Sequence, residues 1–256
     1  MASTAPAPDD WDDHWDRYEA SARENPAQAY RRRVVFRLLA AEGPPRHLLD
    51  IGSGQGDLLH EAARRWPGAA LAGVELSESG VRISRAKVPA ATFVQRDLLE
   101  PTEPDPALRG WASHATCSEV LEHVEHPAAL LRAAASFMAP GCRLVITVPG
   151  GPMSEFDRHI GHRTHYTPDT VREVIEQAGL GVERVMSAGF PFFNAYRRMV
   201  IMRGARLIDD VDGSEDAELP RSARIAMRGF DAAFRFNRDD TRWGTQMLAV
   251  ARVPTT

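Results

Sequence analysis

The chain of 256 residues has only two cysteines, one lysine and no long apolar run. Cys117 and Cys142 are too few for a disulfide framework and have no metal-ligand spacing. Both fall in stretches that read as strands, where a small buried thiol is the ordinary outcome. No segment approaches the ~20 apolar residues needed to span a bilayer. The opening MASTAPAPDD lacks the basic and apolar parts of an export signal, and residues 1–10 read as a flexible tail. These absences imply a reducing, cytoplasmic setting. A dominant charge is missing too: the formal net charge is -4, which gives no field to draw DNA or anionic lipid. Lys87 is the single lysine among 31 basic residues, an imbalance that fits GC-rich codon usage better than phosphate recognition. What is present, 43% hydrophobic and 26% charged residues, suits one globular domain over 11–256.

Periodicity then sets the fold class. Trp11, Trp15 and Tyr18 form one aromatic stripe on a first helix, and Asn25-Pro26 opens a second that ends near Gly43-Pro44. Residues 11–43 thus form N-terminal cap helices. Short apolar strands follow at His47 to Ile51, Ala70 to Leu76, Thr92 to Gln95, Ala115 to Ser118 and Leu144 to Val148. Amphipathic helices at Asp57 to Trp66, Ser77 to Lys87 and Pro127 to Met138 separate them. Apolar strands alternating with helices predict an α/β fold with a mostly parallel sheet covered on both faces. A helix at Thr167 to Ala178 and strands at Val182 to Ser187 and Gln246 to Val253 complete a seven-stranded sheet. The stretch 190–243 is too long for a simple connection and reads as an insert with helices at 195–208 and 220–234 around the acidic loop DDVDGSEDAE.

The strongest chemical feature is Asp50-Ile51-Gly52-Ser53-Gly54-Gln55-Gly56-Asp57, a strand running through a glycine turn into a helix. Glycine is needed where backbone takes φ > 0 or lies against a ligand. The carboxyl end of a first strand in an open α/β sheet is where nucleotides bind. A dinucleotide fingerprint would place its third glycine at 57, beside a pyrophosphate on the helix start. Asp57 stands there instead, and its carboxylate would repel that phosphate.

The D-x-G-x-G-x-G pattern resembles motif I of class I S-adenosylmethionine (SAM)-dependent methyltransferases, with their Rossmann-like sheet. Two further landmarks stand in register: Glu75 ends the second strand (AGVEL) and Asp97 follows the third (VQRDL). The resemblance implies a cofactor site of Asp50, Gly52, Ser53, Gly54, Gly56, Glu75, Leu76, Asp97, Leu98 and Ser118. Glu75 would take the ribose hydroxyls, and Asp97 with the next backbone N–H the adenine.

On the acceptor side, Ser118-Glu119-Val120-Leu121-Glu122-His123-Val124 follows the fourth strand, and one turn can aim Glu119, Glu122 and His123 into a common site. Phe156 to Thr167 adds His159, His162 and His165 at three-residue spacing, so five of nine histidines lie between 123 and 165. Imidazole is the common base near neutral pH and a common metal ligand. His162, His165, His123 and Glu122 are therefore the candidate catalytic residues. E-x-x-E-H with a distant histidine resembles the small-RNA 2′-O-methyltransferases, and EVLEHV is similar to the ubiquinone-pathway O-methyltransferases. The first resemblance implies Glu119, Glu122, His123 and His162 as ligands for Mg²⁺ or Mn²⁺. Glu122 and His123 serve equally well as a turn cap, and the G-H-x-x-x-Y-T string is also like methyltransferases with no known metal.

The insert, with Phe190, Phe192, Phe193 and Tyr196 beside Arg197 and Arg198, suits a lid on an apolar acceptor, a core-facing helix, a homodimer surface or a membrane contact for a lipid-linked acceptor. The expected activity is methyl transfer to a hydroxyl of a small diol, phenol or sugar-like acceptor. RNA 2′-O or terminal-hydroxyl methylation, N- or C-methylation of a metabolite, and a SAM-binding subunit without catalysis are the alternatives. Acidic net charge and the lack of an appended RNA-binding module weigh against RNA.

Overall fold

The computed structural model describes residues 11–12, 25–100, 105–212 and 221–255, with backbone only for 204–212 and 221–224. The expected tail at 1–10, Trp15 and Tyr18 of the aromatic stripe, and residues 213–218 of the acidic loop lie outside the described residues. Asn25 caps the helix α1 (Pro26–Leu39): its side chain accepts the Ala27 N–H at 2.9 Å, with proline at the first turn. The chain then alternates as the apolar periodicity requires: β1 (His47–Ile51), α2 (Asp57–Arg65), β2 (Ala70–Glu75), α3 (Glu78–Lys87) and β3 (Thr92–Gln95). The second half adds β4 (Ala112–Ser118), α4 (Pro127–Ala134), β5 (Met138–Pro149), α5 (Glu155–His159), α6 (Pro168–Gln177) and β6 (Gly181–Ala188). It closes with α7 (Phe192–Asp212), α8 (Arg221–Ala233) and β7 (Gln246–Arg252).

The seven strands form one sheet in the order β3-β2-β1-β4-β5-β7-β6. β1 to β5 pair in parallel, and β7 runs antiparallel between β5 and β6. The order reverses beside β1 and β4, so their carboxyl ends open a crevice between diverging connections.

Successive side chains of a strand point to opposite faces, so neighbours such as Leu48 and Leu49 feed different cores. Leu49, Ile51 and Ile146 pack with Leu131, Val171 and Ile175 on one face. Leu48, Leu71 and Val145 pack with Phe36, Leu39 and Leu59 on the other. Both faces being buried, the central strands are mostly apolar, with Asp50, Thr116 and Thr147 as buried polar exceptions. A third cluster joins Tyr30 and Val34 of α1 to Phe193, Tyr196 and Phe234 of the insert and to Leu248 and Val250 of β7. The apolar residues of 190–243 are therefore partly core, while Met202, Ile225 and Phe236 are exposed.

Several boundaries differ from the sequence reading: α7 extends the helix expected at 195–208 at both ends, and β5 extends the strand expected at Leu144 to Val148 back to Met138. The helix expected to reach Met138 stops at Ala134, a 3₁₀ turn spans Ala135–Phe137, and Met138 already belongs to β5. Buried Phe137 and Met138 seal the sheet rather than continue a helical face. β4 begins at Ala112, because Ala112 pairs with Met138 before a register shift ahead of His114. α1 ends at Leu39, where the Ala40 N–H already turns back to Phe36 and Leu38. The short helix α5 was not expected. Its capping box, Ser154 with Asp157, is the signal that announces it.

Candidate active site

The crevice holds a cavity of about 350 Å³ whose walls include Trp11, Ile51, Gly52, Glu75, Leu76, Asp97, Leu98, Leu99, Glu119, Val120, His123 and Arg163. Its floor is the glycine turn after β1. Gly52 has φ +67°, and a Cβ there would stand 2.5 Å from Val120 Cγ2. Gly56, at φ +75°, lies against Ser84, whose atoms would be 3.0–3.3 Å from a Cβ. Both positions need glycine for conformation and for room. Buried Glu75 accepts the Gly54 N–H at 2.7 Å and the Ser77 N–H at 3.0 Å. Burial nevertheless pushes its carboxyl up from the ordinary range. Asp50 lies behind the turn and accepts from Thr116 Oγ1 at 2.6 Å. Burial, and then the charge of Glu75, raises Asp50 to about 7 against the lowering effect of Thr116. At the helix start, Asp57 pairs with Lys87 at 2.7 Å.

Glu119 leaves β4 with φ 58°, a positive value for a residue other than glycine. Its strained backbone is held by its side chain: Oε1 accepts from Thr147 Oγ1 at 2.9 Å and Gln246 Nε2 at 2.8 Å, and Oε2 meets Arg31 Nε at 3.0 Å. The 3₁₀ turn Leu121–His123 follows. Tyr166 donates its hydroxyl to the Leu121 carbonyl at 2.9 Å, the Arg163 N–H donates to the Glu122 carbonyl at 2.7 Å, and Arg163 Nε reaches the His123 carbonyl at 2.9 Å. The histidine loop is thus clamped onto this turn. Glu122 is fully buried, and neither carboxyl oxygen has a hydrogen-bond partner among the described residues. Burial and the nearby Glu119 push its carboxyl well up from the ordinary range.

His162 stands beside this acid. Its ring meets His123 edge to face at 4.7 Å, and Glu122, His123 and His162 each offer a ligand atom within 4.8 Å of the others. His162 Nδ1 lies 3.1 Å from His165 Nε2, and His165 Nδ1 lies 3.1 Å from the Gly151 carbonyl. Behind both rings is Asp157, only 1% exposed, which forms a two-pronged pair with Arg197 of α7 at 2.8 and 2.5 Å. Asp157 also accepts from Ser154 N–H and Oγ at 2.6 and 2.7 Å. Burial would raise its carboxyl, but these bonds win and bring it down to about 2.

Burial, followed by the neighbouring His123, His165 and Arg197 and outweighing Asp157, brings His162 down to about 3. Burial lowers His165 as well. The folded chain keeps both rings neutral, while the unfolded chain protonates them near their ordinary 6.5. Their stability contribution is therefore full above pH 6.5 and is lost as the pH falls toward about 3. The urea midpoint is expected to drop across that window, and His162→Phe to flatten the drop. A midpoint constant from pH 7 to 4 would contradict the neutral pair.

The expected cofactor residues fall into two sets. Gly52, Glu75, Leu76, Asp97 and Leu98 line the cavity. Asp50, Ser53, Gly54, Gly56 and Ser118 shape it from behind: Gly54 donates to Glu75, and Ser118 Oγ pairs with Thr147 Oγ1 at 2.8 Å. Of the acceptor-side candidates, Glu122, His123 and His162 converge, with His165 behind His162. The Glu119 carboxylate is instead committed to Arg31, Thr147 and Gln246 and joins no three-residue ligand cluster among the described residues. Sequence reasoning missed Arg31, Gln246, Asp157 and Arg197. Only Asp157 had a local signal, the Ser-x-x-Asp cap. Arg31 and Gln246 are 215 positions apart.

A family model described as a methyltransferase domain matches residues 22–185. The ubiquinone biosynthesis O-methyltransferase of Aeromonas salmonicida (strain A449) is 28% identical over 169 residues, 59% of this chain and 70% of that protein. The trans-aconitate 2-methyltransferase of Paracidovorax citrulli (strain AAC00-1) is 31% identical over 132 residues, 52% of this chain and 45% of its own length. Among solved structures, the N-methyltransferase NodS from Bradyrhizobium japonicum WM9, in complex with S-adenosyl-L-homocysteine, has a TM-score of 0.59 at 15% identity and covers 96% of this chain and 100% of its own. The [4+2]-cyclase SpnF has a TM-score of 0.63 at 17% identity over 99% and 98%. Names that span O-, N- and 2-methylation and a cyclisation leave the acceptor to be argued from the site. With motif I, the seven-stranded sheet and the domain match together, the chain belongs to the methyltransferase-domain family and is a SAM-dependent methyltransferase.

Proposed function

We propose that the chain transfers the SAM methyl group to a hydroxyl of a small molecule, with His162 taking the hydroxyl proton. The observation that carries this reading is a half-buried His162 beside the turn after β4, its ring against His123 and its Nδ1 3.1 Å from His165 Nε2. The cavity suits SAM: Gly52 on its floor leaves no room for a Cβ against Val120, and Glu75 and Asp97 stand on its wall. Bound SAM supplies a methyl on a sulfonium, so transfer forms a C–O bond, breaks the C–S bond and leaves S-adenosylhomocysteine. The protein's part is alignment and proton removal. Glu75 would hold the ribose hydroxyls, Asp97 the adenine edge, and His162 Nε2 would receive the acceptor proton as the new bond forms. Arg31 keeps the Glu119 carboxylate in place at the end of β4.

Glu122 favours a second version of the same transfer. A fully buried carboxyl with no hydrogen-bond partner among the described residues, beside two imidazoles, fits a divalent cation, whose positive charge would favour the ionised carboxylate. Glu122, His123 and His162 would then hold Mg²⁺ or Mn²⁺, and the ion would lower the pKa of a bound hydroxyl. The committed Glu119 leaves three protein ligands rather than the four expected.

An acceptor panel of catechols, vicinal diols, phenols, hydroxy acids, amines and a short RNA, read by S-adenosylhomocysteine release, tests the reading. Turnover restricted to amines or RNA overturns it. Isothermal titration with Mg²⁺ and Mn²⁺, together with turnover in EDTA, decides the metal version: no heat and full activity exclude it.

A further inference from the structure

The base reading needs His162 to present a lone pair, and the hydrogen-bond chain behind it decides which nitrogen carries one. A neutral imidazole has one N–H and one lone pair, and the partner of either nitrogen fixes both. A backbone carbonyl only accepts. Gly151 O, at 3.1 Å, therefore requires the proton of His165 on Nδ1, which leaves His165 Nε2 as an acceptor. That acceptor lies 3.1 Å from His162 Nδ1 and requires the proton of His162 there. The lone pair of His162 is then on Nε2.

Asp157 does not compete for this role. Its oxygens are 4.0 Å from His162 Nδ1 and 3.9 Å from His165 Nε2, beyond hydrogen-bond length, and they are filled by Arg197 and Ser154.

We infer that His165 is a positioning residue, which relays the polarity of the Gly151 carbonyl to His162 and locks it as the Nδ1–H tautomer with Nε2 open for the proton of the acceptor. The inference deepens the proposed use of His162 and rests on that reading for its link to turnover. Its structural half stands on the two hydrogen bonds between rings that are neutral above pH 7.5. The same lone pair serves a bound cation as well as an acceptor proton.

The test is ¹⁵N NMR of the ¹⁵N-histidine-labelled full chain above pH 7.5, with the His162 signals identified by their loss in His162→Gln. The expected result is a protonated Nδ1 and a bare Nε2 on His162. In His165→Phe, which offers no acceptor, His162 is expected to shift toward the Nε2–H form, and kcat to fall about 10- to 100-fold at unchanged SAM affinity. His165→Gln places an amide near the lost Nε2 and is expected to restore the tautomer and most of the rate. An Nε2–H His162 in the wild-type chain, or an unshifted tautomer in folded His165→Phe, overturns the inference. Wild-type turnover in His162→Gln overturns the base reading instead, and the NMR result separates the two because it needs no turnover.

Discussion

Replacing His162 by alanine is expected to lower kcat by about 100-fold or more while SAM binds as in the wild-type chain. The size follows from the role: a positioned base contributes roughly 10²–10⁴ to a proton transfer, and pure proximity survives its loss. The selectivity follows from position. Glu75, Asp97, Leu98 and Gly52 line the cavity proposed for SAM, whereas His162 is clamped to the turn after β4 by the loop hydrogen bonds. The substitution removes no wall of the cofactor site. Single-turnover rates with saturating SAM, beside a titration of SAM binding, check it. Equal rates in the two proteins would mean that alignment alone drives transfer, and a matching fall in SAM affinity would mean that the loop only shapes the cofactor site.

Glu75→Ala is expected to weaken SAM binding about 100-fold and to spare the fold. Hydrogen bonds to a charged group contribute roughly 1.5–3 kcal/mol each, and two ribose hydroxyls are at stake. Part of that is offset, because Glu75 is buried and burial disfavours its charge even in the free chain. The same carboxylate orders the turn by accepting from Gly54 and Ser77, so alanine also loosens the floor of the cavity. Glu75→Gln, which keeps one accepting oxygen, is expected to lose less. Calorimetry of SAM binding to the three proteins checks the order, and an unchanged affinity in Glu75→Ala would move the ribose elsewhere.

Much of the fold is local in origin and could be read from the sequence. Leu48 to Ile51 and Leu144 to Val148 are apolar on both faces, so they announce buried strands. Ser77 and Thr167 announce helix starts because a cap needs only neighbours three residues away. The glycine turn was legible for a similar reason: a left-handed backbone at Gly52 and Gly56 restricts the residue type at those very positions. Boundaries such as Ala134–Met138 were not legible, because a helix ends there only when Phe137 and Met138 find the sheet.

By itself, the sequence determined the alternation of strands and helices, the glycine turn with Glu75 and Asp97 in register after the next two strands, and a concentration of histidines between 123 and 165. The division of labour among those residues was decided only by the tertiary structure. Glu119 and Glu122 look alike in E-x-x-E-H, yet one meets Arg31 from α1 and Gln246 from β7 and stays paired, while the other is buried with no hydrogen-bond partner among the described residues and its carboxyl is pushed well up. His162 and His165 look alike too, until Gly151 O gives one an acceptor and thereby gives the other its tautomer. The physical reason is that solvation and hydrogen-bond partners set the protonation of a side chain, and here the partners come from another element: Gly151, 14 residues before His165, and Gln246, 127 residues after Glu119.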